Sequence, residues 1–277
     1  MPVLHISLLI FSIVVGTIMC DSSIYSYYKT HDDLASNKWE HFITIYDEIF
    51  VKYRTQKNFR LLEIGVQNGG SLQIWSSYFG PGSEIVGVDV DEKVCTDLRF
   101  PEGVTVRCMD VVAAEESALQ SLGSFDVIID DASHNSLQVT RAFERLFPLL
   151  RPGGVFVVED IEHSYFSESA GGLRVPHATM EYFKGLTDVV NFYSIRADSQ
   201  EVFDTEYVAR YGPANTQYFA AWIRSLQFVE QMVLVTKRRS ESTRQHRNCL
   251  TGSVTAIQYF SPEHFKVMRC FDEPIVL

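Results

Sequence analysis

The amino-acid sequence predicts an α/β fold, a seven-stranded and mostly parallel sheet that carries helices on both faces. Short apolar segments alternate with amphipathic segments between residues 60 and 158, which is typical of parallel strands joined by crossover helices. A glycine-rich turn follows the first apolar segment, and acidic residues follow the later ones. The length of 277 residues suits one such domain with additions at its ends.

Five apolar segments form the first part of the predicted sheet, and two more follow near the end of the domain. The predicted strands lie at residues 60–66, 84–90, 104–109, 125–129, 155–158, 222–229 and 232–236. The predicted helices lie at residues 39–53, 71–79, 113–122, 137–150 and 180–192. On the fourth of these helices, Leu137 and Phe143 recur at helical spacing and are expected to face the core.

Four parts are predicted along the chain. They are a signal peptide or signal anchor at 1–20, a helical lead-in at 21–58, the α/β domain at 59–238 and a C-terminal extension at 239–277. Within the domain, residues 161–217 lack the regular alternation of strands and helices. We predict that this stretch is an insertion that covers the site as a lid.

The N-terminal segment suggests a compartment. Val3 to Cys20 is an apolar run without a formal charge, as in a secretory signal peptide, so we expect a secreted protein or one of the secretory pathway. Retention of the run as an anchor would place the protein on a membrane, and a buried N-terminal helix or strand is a further alternative. An oxidising compartment permits disulfides, and Cys249–Cys270 is the first pair to test, since spacing alone does not establish connectivity.

The charge of the chain bears on its partners. The formal net charge is −11 and the pI is about 5.2, and such an acidic surface argues against nucleic acid as the main partner. We therefore expect the partner to be a small molecule, one that carries a hydroxyl group. Association of identical copies remains an open alternative.

The segment Leu61 to Ser71, LLEIGVQNGGS, is the predicted first-strand turn. Its glycines let the backbone turn sharply and approach a ligand, and the helix that follows presents free N–H groups. Dinucleotide sites require G-x-G-x-x-G, but Gln67 takes the place of the second glycine. Glu63, Gly65 and Gly69 therefore form an acidic-x-G-x-x-x-G pattern. An ordinary glycine-rich turn is the alternative for this pattern taken alone.

Acidic residues also follow the second and third strands. Asp89 ends the second strand about 20 residues beyond the glycine turn, where nucleotide sites place the carboxylate that binds ribose hydroxyls. Asp110 follows the third strand. Each acid alone could cap a helix, but together with the glycine turn they predict a nucleotide-type cofactor.

The fourth and fifth strands end in two further polar clusters. Asp130, Asp131 and His134 follow one strand, and Glu159 and Asp160 follow the other. Ligands of open α/β sheets bind beyond the carboxyl ends of the strands, so these side chains are expected to converge. A divalent cation such as Mg²⁺ would relieve the repulsion between the carboxylates, and an imidazole suits a general base. Helix caps and a polar loop are the alternatives.

These motifs carry a family resemblance. The glycine turn resembles motif I of the class I S-adenosylmethionine-dependent methyltransferases, which have a Rossmann-like fold. The stretches 126–134 and 150–160, followed by Ser164-Tyr165, resemble the macrocin-type sugar O-methyltransferases, which require Mg²⁺. The lead-in Ser36-Asn37-Lys38 is similar to that family's, but Asn37 and Ala132 stand where it usually has Asp and Gly.

The resemblance implies a role for each candidate residue. The cofactor residues would be Glu63, Gly65, Gly69, Asp89, Asp110 and Asp130, and the metal ligands Asp131, Glu159 and Asp160. His134 would be the catalytic base, with Asp131 beside it. We therefore predict a metal-dependent O-methyltransferase acting on a sugar or other small polyol. A catechol-type acceptor and a cofactor-binding protein without turnover are the alternatives, and Gln67 disfavours a nicotinamide-dependent oxidoreductase.

Overall fold

A computed structural model describes residues 23–195, 199–211 and 215–242 of the chain. These residues form one seven-stranded sheet in the order β3-β2-β1-β4-β5-β7-β6. The strands are β1 (Arg60–Ile64), β2 (Glu84–Asp89), β3 (Val104–Cys108), β4 (Phe125–Asp130), β5 (Leu150–Val158), β6 (Ile223–Val229) and β7 (Met232–Lys237). The helices are α1 (Ile24–Thr30), α2 (Glu40–Phe50), α3 (Gly70–Phe79), α4 (Glu92–Asp97), α5 (Glu116–Gln120), α6 (Ser136–Leu146), α7 (Thr179–Val190), α8 (Gln200–Tyr211) and α9 (Thr216–Trp222).

The directions of the strands confirm the predicted fold. The first five strands pair in parallel, so their carboxyl ends lie at one edge of the sheet. Only β7 runs antiparallel, to β5 on one side and to β6 on the other. A tight turn joins β6 to β7, and Gln231 takes a positive φ of 61° in it.

Both faces of the sheet are buried. Val127 and Ile129 of β4 face a core shared with α1, α2 and α3, whereas Ile128 between them faces a second core. The second core contains Phe143 of α6 and Leu186 of α7. Because side chains alternate between the faces of a strand, a strand covered on both faces reads as the continuous apolar run seen in the sequence.

One helix within the predicted lid over 161–217 belongs to the core. Helix α7, which lies inside this stretch, buries Tyr182, Phe183 and Leu186 in the core against α6 and α9. It therefore forms part of the layer that covers the sheet. The apolar residues of α7 recur with the helical period, which predicts a helix with one apolar face. The period does not predict that this face packs on the sheet.

Two smaller expectations also require correction. Leu137 was expected in the core, yet it is 55% exposed, and Val139 is buried instead. The buried face of α6 runs through Val139, Ala142 and Phe143 at spacings of three and four residues, and Leu137 falls on the opposite side. The second concerns α4, which is absent from the predicted helices. This helix buries no side chain, so its sequence has no apolar period that would indicate a helix.

The structure contains a disulfide that was not predicted. Cys95 of α4 is bonded to Cys108 at the end of β3, with 5.8 Å between the two Cα atoms. The predicted Cys249–Cys270 pair and the apolar run from Val3 to Cys20 lie outside the described residues. Among the helices that the structure describes, none is long and apolar enough to cross a membrane.

Candidate active site

A cavity of about 780 Å³ opens at the edge of the sheet where the parallel strands end. Each of the five parallel strands contributes to its wall through the loop that follows it. The predicted residues that line it are Gly65, Asp89, Asp110, Asp130, Asp131, His134 and Asp160. The expected convergence of the strand ends is therefore present, because parallel strands place their carboxyl ends together.

The glycine turn packs directly on the loop after β4. Gly65 has a φ of 90°, and a Cβ atom added to it would lie 2.1 Å from the backbone oxygen of Asp131. Gly69, with a φ of 84°, immediately precedes α3. Only glycine combines a left-handed backbone with so close an approach, so the turn and the Asp131 loop are positioned against each other.

The acids after β2 and β3 hold backbone N–H groups at the rim of the cavity. Asp89 Oδ2 accepts hydrogen bonds from the N–H groups of Val66 (2.8 Å) and Gln67 (3.1 Å), which fixes the glycine turn to β2. Asp110 Oδ1 accepts from the N–H of Val112 at 2.9 Å. Each ionised carboxylate offers about four acceptor sites, so both acids retain acceptor capacity toward the cavity.

Glu63 lies beneath the glycine turn and does not reach the cavity wall. Its side chain is fully buried, and its Oε2 accepts a hydrogen bond of 2.8 Å from the indole N–H of Trp75. Burial raises the pKa of Glu63, and the nearby ammonium of Lys38 opposes that rise. Glu63 therefore lies beneath the glycine turn, where it binds Trp75 of α3.

Lys38 brings three strand ends together, a role that the residue pattern did not reveal. Its ammonium donates to Asp131 Oδ2 at 2.8 Å and to Glu159 at 2.7 and 2.9 Å, and it lies 3.4 Å from Glu63. The side chain is only 1% exposed. Burial alone lowers the pKa of Lys38, but the surrounding carboxylates raise it well above its usual value. The only sequence signal was the family-like lead-in at 36–38.

Glu159 contacts the ammonium of Lys38 but does not line the cavity. The phenol of Tyr46, which is also buried, donates a hydrogen bond to Glu159 Oε1. Burial raises the pKa of Glu159 to about 8, Lys38 opposes the rise, and Asp131 adds to it. Glu159 thus sits behind the cavity with both oxygens engaged, whereas the other two predicted metal ligands, Asp131 and Asp160, line the cavity.

Asp131, His134 and Asp160 form the group of side chains that could hold a cation. One possible ligand atom from each lies within 4.8 Å of the others, and His134 Nε2 is 3.6 Å from Asp160 Oδ2. The three side chains are half-buried, with 21–24% exposure. Two carboxylates beside open space fit a hard cation such as Mg²⁺, which retains waters that a substrate hydroxyl can displace.

Two residues of this group have strained backbones. His134 has a φ of 51° and Asp160 a φ of 49°, in the left-handed region that side chains with a Cβ atom disfavour. Such strain concentrates at functional sites, where the surrounding structure enforces it. Ala132 is not among the positive-φ residues, so alanine fits at the position where the related family usually has glycine.

Asp130 presents an unsatisfied acceptor at the cavity. The residue is 2% exposed, and its Oδ2 has no hydrogen-bond partner in the part of the chain that the structure describes. Burial raises the pKa of Asp130 to about 7, opposed by a hydrogen bond from the Ala132 N–H. A buried oxygen without a donor is costly, so this site fits a ligand that brings an ammonium group.

Comparisons with known proteins agree with this geometry. A family model described as a methyltransferase domain matches residues 62–161. The mycinamicin VI 2''-O-methyltransferase of Micromonospora griseorubida is 34% identical over 168 residues, covering 55% of this chain and 40% of that protein. The ribosomal RNA large subunit methyltransferase E of Syntrophobacter fumaroxidans is 31% identical over 148 residues, covering 47% of this chain and 74% of that protein. The chain belongs to the class I S-adenosylmethionine-dependent methyltransferases.

A solved structure extends the likeness beyond the matched domain. The MycE methyltransferase of mycinamycin biosynthesis, in complex with Mg, S-adenosylhomocysteine and mycinamycin VI, is 28% identical, with a TM-score of 0.60. The alignment covers 79% of this chain and 55% of MycE. The chain therefore spans only about half the length of MycE, and its match covers 40% of the mycinamicin enzyme from Micromonospora.

Proposed function

We propose that the protein is a metal-dependent O-methyltransferase that transfers the methyl group of S-adenosylmethionine to a hydroxyl of a sugar or other small polyol. The observation that supports this most directly is the meeting of Asp131, His134 and Asp160 on the wall of one cavity that also contains Asp130 and the glycine turn. Cofactor residues and candidate acid–base residues thus border the same space.

The cavity offers matching groups for each part of the cofactor. The unpartnered carboxylate oxygen of Asp130 would accept a hydrogen bond from the ammonium of the methionine portion. Asp89 at the end of β2 and Asp110 on the loop after β3 would accept from the ribose hydroxyls and the adenine amino group. The N-terminus of α3 beyond Gly70, whose own N–H donates to the Ala35 carbonyl, would suit the carboxylate.

His134 is the proposed general base. Its imidazole would accept the proton of the acceptor hydroxyl as that oxygen takes the methyl group, while the carboxylate of Asp160 orients the ring. Mg²⁺ held by Asp131 and Asp160 would lower the pKa of a hydroxyl that it coordinates. Lys38 holds the second oxygen of Asp131 in place, so this carboxylate is oriented before substrate binds.

The names of the relatives suggest the class of acceptor. One relative is a mycinamicin VI 2''-O-methyltransferase, and another is an L-olivosyl-oleandolide 3-O-methyltransferase. Both names describe methylation of a hydroxyl on a macrolide glycoside. We therefore propose that the acceptor of this chain is a small ring that carries hydroxyl groups. The acidic net charge of the chain agrees with an acceptor that is not a nucleic acid.

A transfer assay tests the proposed function. Incubation of the chain with S-adenosylmethionine, Mg²⁺ and a set of methyl pyranosides is expected to give products heavier by one CH₂ group in mass spectrometry. EDTA should abolish the product and Mg²⁺ should restore it. In calorimetry, tight binding of NAD(H) with no response to S-adenosylmethionine would contradict the proposal. Cofactor binding without any product would instead indicate a binding protein.

We also propose that the protein folds in the secretory pathway. The Cys95–Cys108 disulfide supports this, because such bonds persist in oxidising compartments, and the apolar run at 3–20 supports it independently. Expression in a secreting host is expected to release a chain that begins near Asp21, with Cys95 and Cys108 protected from alkylation until a reductant is added. A retained N-terminus together with freely alkylated thiols at both positions contradicts this location.

A further inference from the structure

Trp39 is an exposed aromatic side chain fixed beside the candidate active site. It immediately precedes α2, and 54% of its surface is exposed. Its indole N–H donates a hydrogen bond of 3.1 Å to Asp160 Oδ1. This bond places the exposed indole next to Asp160, which lines the cavity. Exposed aromatic rings provide contact area for ligands at little entropic cost.

Other rings lie beyond Asp160, beginning with His134 on the cavity wall. The second oxygen of Asp160 faces His134, and the ring of His134 lies 4.9 Å from that of His163 at an angle of 31°. The ring of Phe166 meets His163 edge-on at 5.2 Å and is itself 41% exposed. We call Trp39, His134, His163 and Phe166 the aromatic rim. The proposed base is therefore part of a strip of rings.

This arrangement restricts the shape and charge of the acceptor. Trp39 and His134 meet the two oxygens of one carboxylate, so a hydroxyl directed at His134 brings the rest of the acceptor next to the indole. The carboxylates of Asp131 and Asp160 disfavour an anionic acceptor. A pyranose combines hydroxyls at its edge with flat patches of C–H groups, and such patches stack on aromatic faces. An open-chain polyol has the hydroxyls but no comparable flat face.

We propose that Trp39 is a specificity-determining residue on which the ring of a neutral pyranose acceptor stacks. The proposal rests on the proposed O-methyltransferase function and deepens it by naming what holds the acceptor. In this proposal Trp39 contributes to binding of the acceptor, whereas His134 accepts the proton of the acceptor hydroxyl. Its replacement should therefore change the KM for the acceptor and leave kcat nearly unchanged.

Kinetics with paired acceptors provide the first test. The probes are methyl α-L-rhamnopyranoside and the open-chain polyol L-rhamnitol, neither of which carries an aromatic group. Trp39→Ala is expected to raise the KM for the pyranoside roughly tenfold, Trp39→Phe is expected to recover most of the loss, and the rhamnitol KM should stay unchanged. Tyr25→Ala is the matched control, because Tyr25 is 49% exposed on α1 and takes no part in the aromatic rim. Equal KM values for wild type and Trp39→Ala overturn the proposal.

Tryptophan fluorescence provides a second test that needs no turnover. The chain has three tryptophans, and Trp75 is fully buried while Trp222 is half-buried. With S-adenosylhomocysteine and Mg²⁺ present, the pyranoside is expected to quench wild-type emission but not the emission of Trp39→Phe. Quenching without methyl transfer would contradict the proposed function and leave the stacking site intact. Absence of quenching in the wild type overturns the stacking site, whether or not transfer occurs.

Discussion

Replacement of Lys38 by methionine is expected to lower the free energy of unfolding by about 3–5 kcal/mol, the usual cost of leaving buried charges without their partner. The ammonium of Lys38 contacts Glu159 and Asp131 and lies near Glu63, and its side chain is 1% exposed. Methionine keeps the length and apolar character of the side chain but removes the charge. Urea denaturation monitored by circular dichroism measures the difference.

The loss caused by Lys38→Met should depend on pH. Burial already raises the pKa of Glu159 to about 8, and removal of Lys38 takes away the charge that opposes this rise. Below that pKa, Glu159 in the variant can take up a proton and remain buried as a neutral acid. Above it, the unpaired carboxylate is charged, so the destabilisation should grow from pH 6 to pH 9.

Controls separate the buried charge from a general effect of losing a lysine. Lys184→Met removes a lysine whose side chain is 50% exposed and pairs with Glu181 three residues away, and it should change stability by less than about 1 kcal/mol. Mg²⁺ should restore part of the stability of Lys38→Met, because a cation can then compensate Asp131. A Lys38→Met protein as stable as the wild type at pH 8 would show that the ammonium is not needed.

The second large effect is expected from His134→Asn, which should lower kcat by about 10²- to 10⁴-fold, the usual contribution of a general base. Asparagine is chosen because it tolerates the left-handed backbone better than most residues, and His134 has a φ of 51°. The local fold should therefore persist while the basic imidazole is lost. Single-turnover measurements with S-adenosylmethionine give the rate of transfer directly.

Binding measurements on the same variant distinguish a base from a metal ligand. If His134 is the base, calorimetry should give unchanged affinities for S-adenosylmethionine and for Mg²⁺. A large loss of cation affinity would instead place His134 among the ligands, which the geometry of Asp131, His134 and Asp160 also allows. His177→Asn is the control, because His177 is exposed and lies outside the aromatic rim, and it should retain kcat. Wild-type activity in His134→Asn would show that this residue is not the base.

The position of Lys38 explains how the lead-in segment contributes to the site. The backbone oxygen of Ala35 accepts a hydrogen bond from the N–H of Gly70 at 3.2 Å, at the start of α3. Three residues later, Lys38 enters the space between the ends of β1, β4 and β5. Segments that precede the sheet in sequence thus complete the wall of its cavity, and the site does not lie within the α/β domain alone.

Much of the site could be predicted because it is local. The glycine turn, Asp89, Asp130, Asp131 and His134 each lie at the end of a strand or in the loop after it, and parallel strands bring such positions to one edge of the sheet. The resemblance of the motifs to known families then narrowed the prediction from a nucleotide-type cofactor to S-adenosylmethionine. The packing of α7, which lies within the predicted lid over 161–217, could not be predicted, since the helical period does not reveal which surface the apolar face contacts.

By itself, the sequence determined the α/β fold, the family and the set of polar residues at the strand ends, because these follow from short-range patterns. Only the tertiary structure decided how these residues divide. It placed Glu159 and Glu63 behind the cavity, where both lie close to the ammonium of Lys38, and left Asp131, His134 and Asp160 on the cavity wall. The pairing of Lys38 with residues more than 90 positions away is invisible in local sequence, and so is the bond between Cys95 and Cys108. The physical reason is that burial and charge pairing depend on distances in space, which local periodicity does not record.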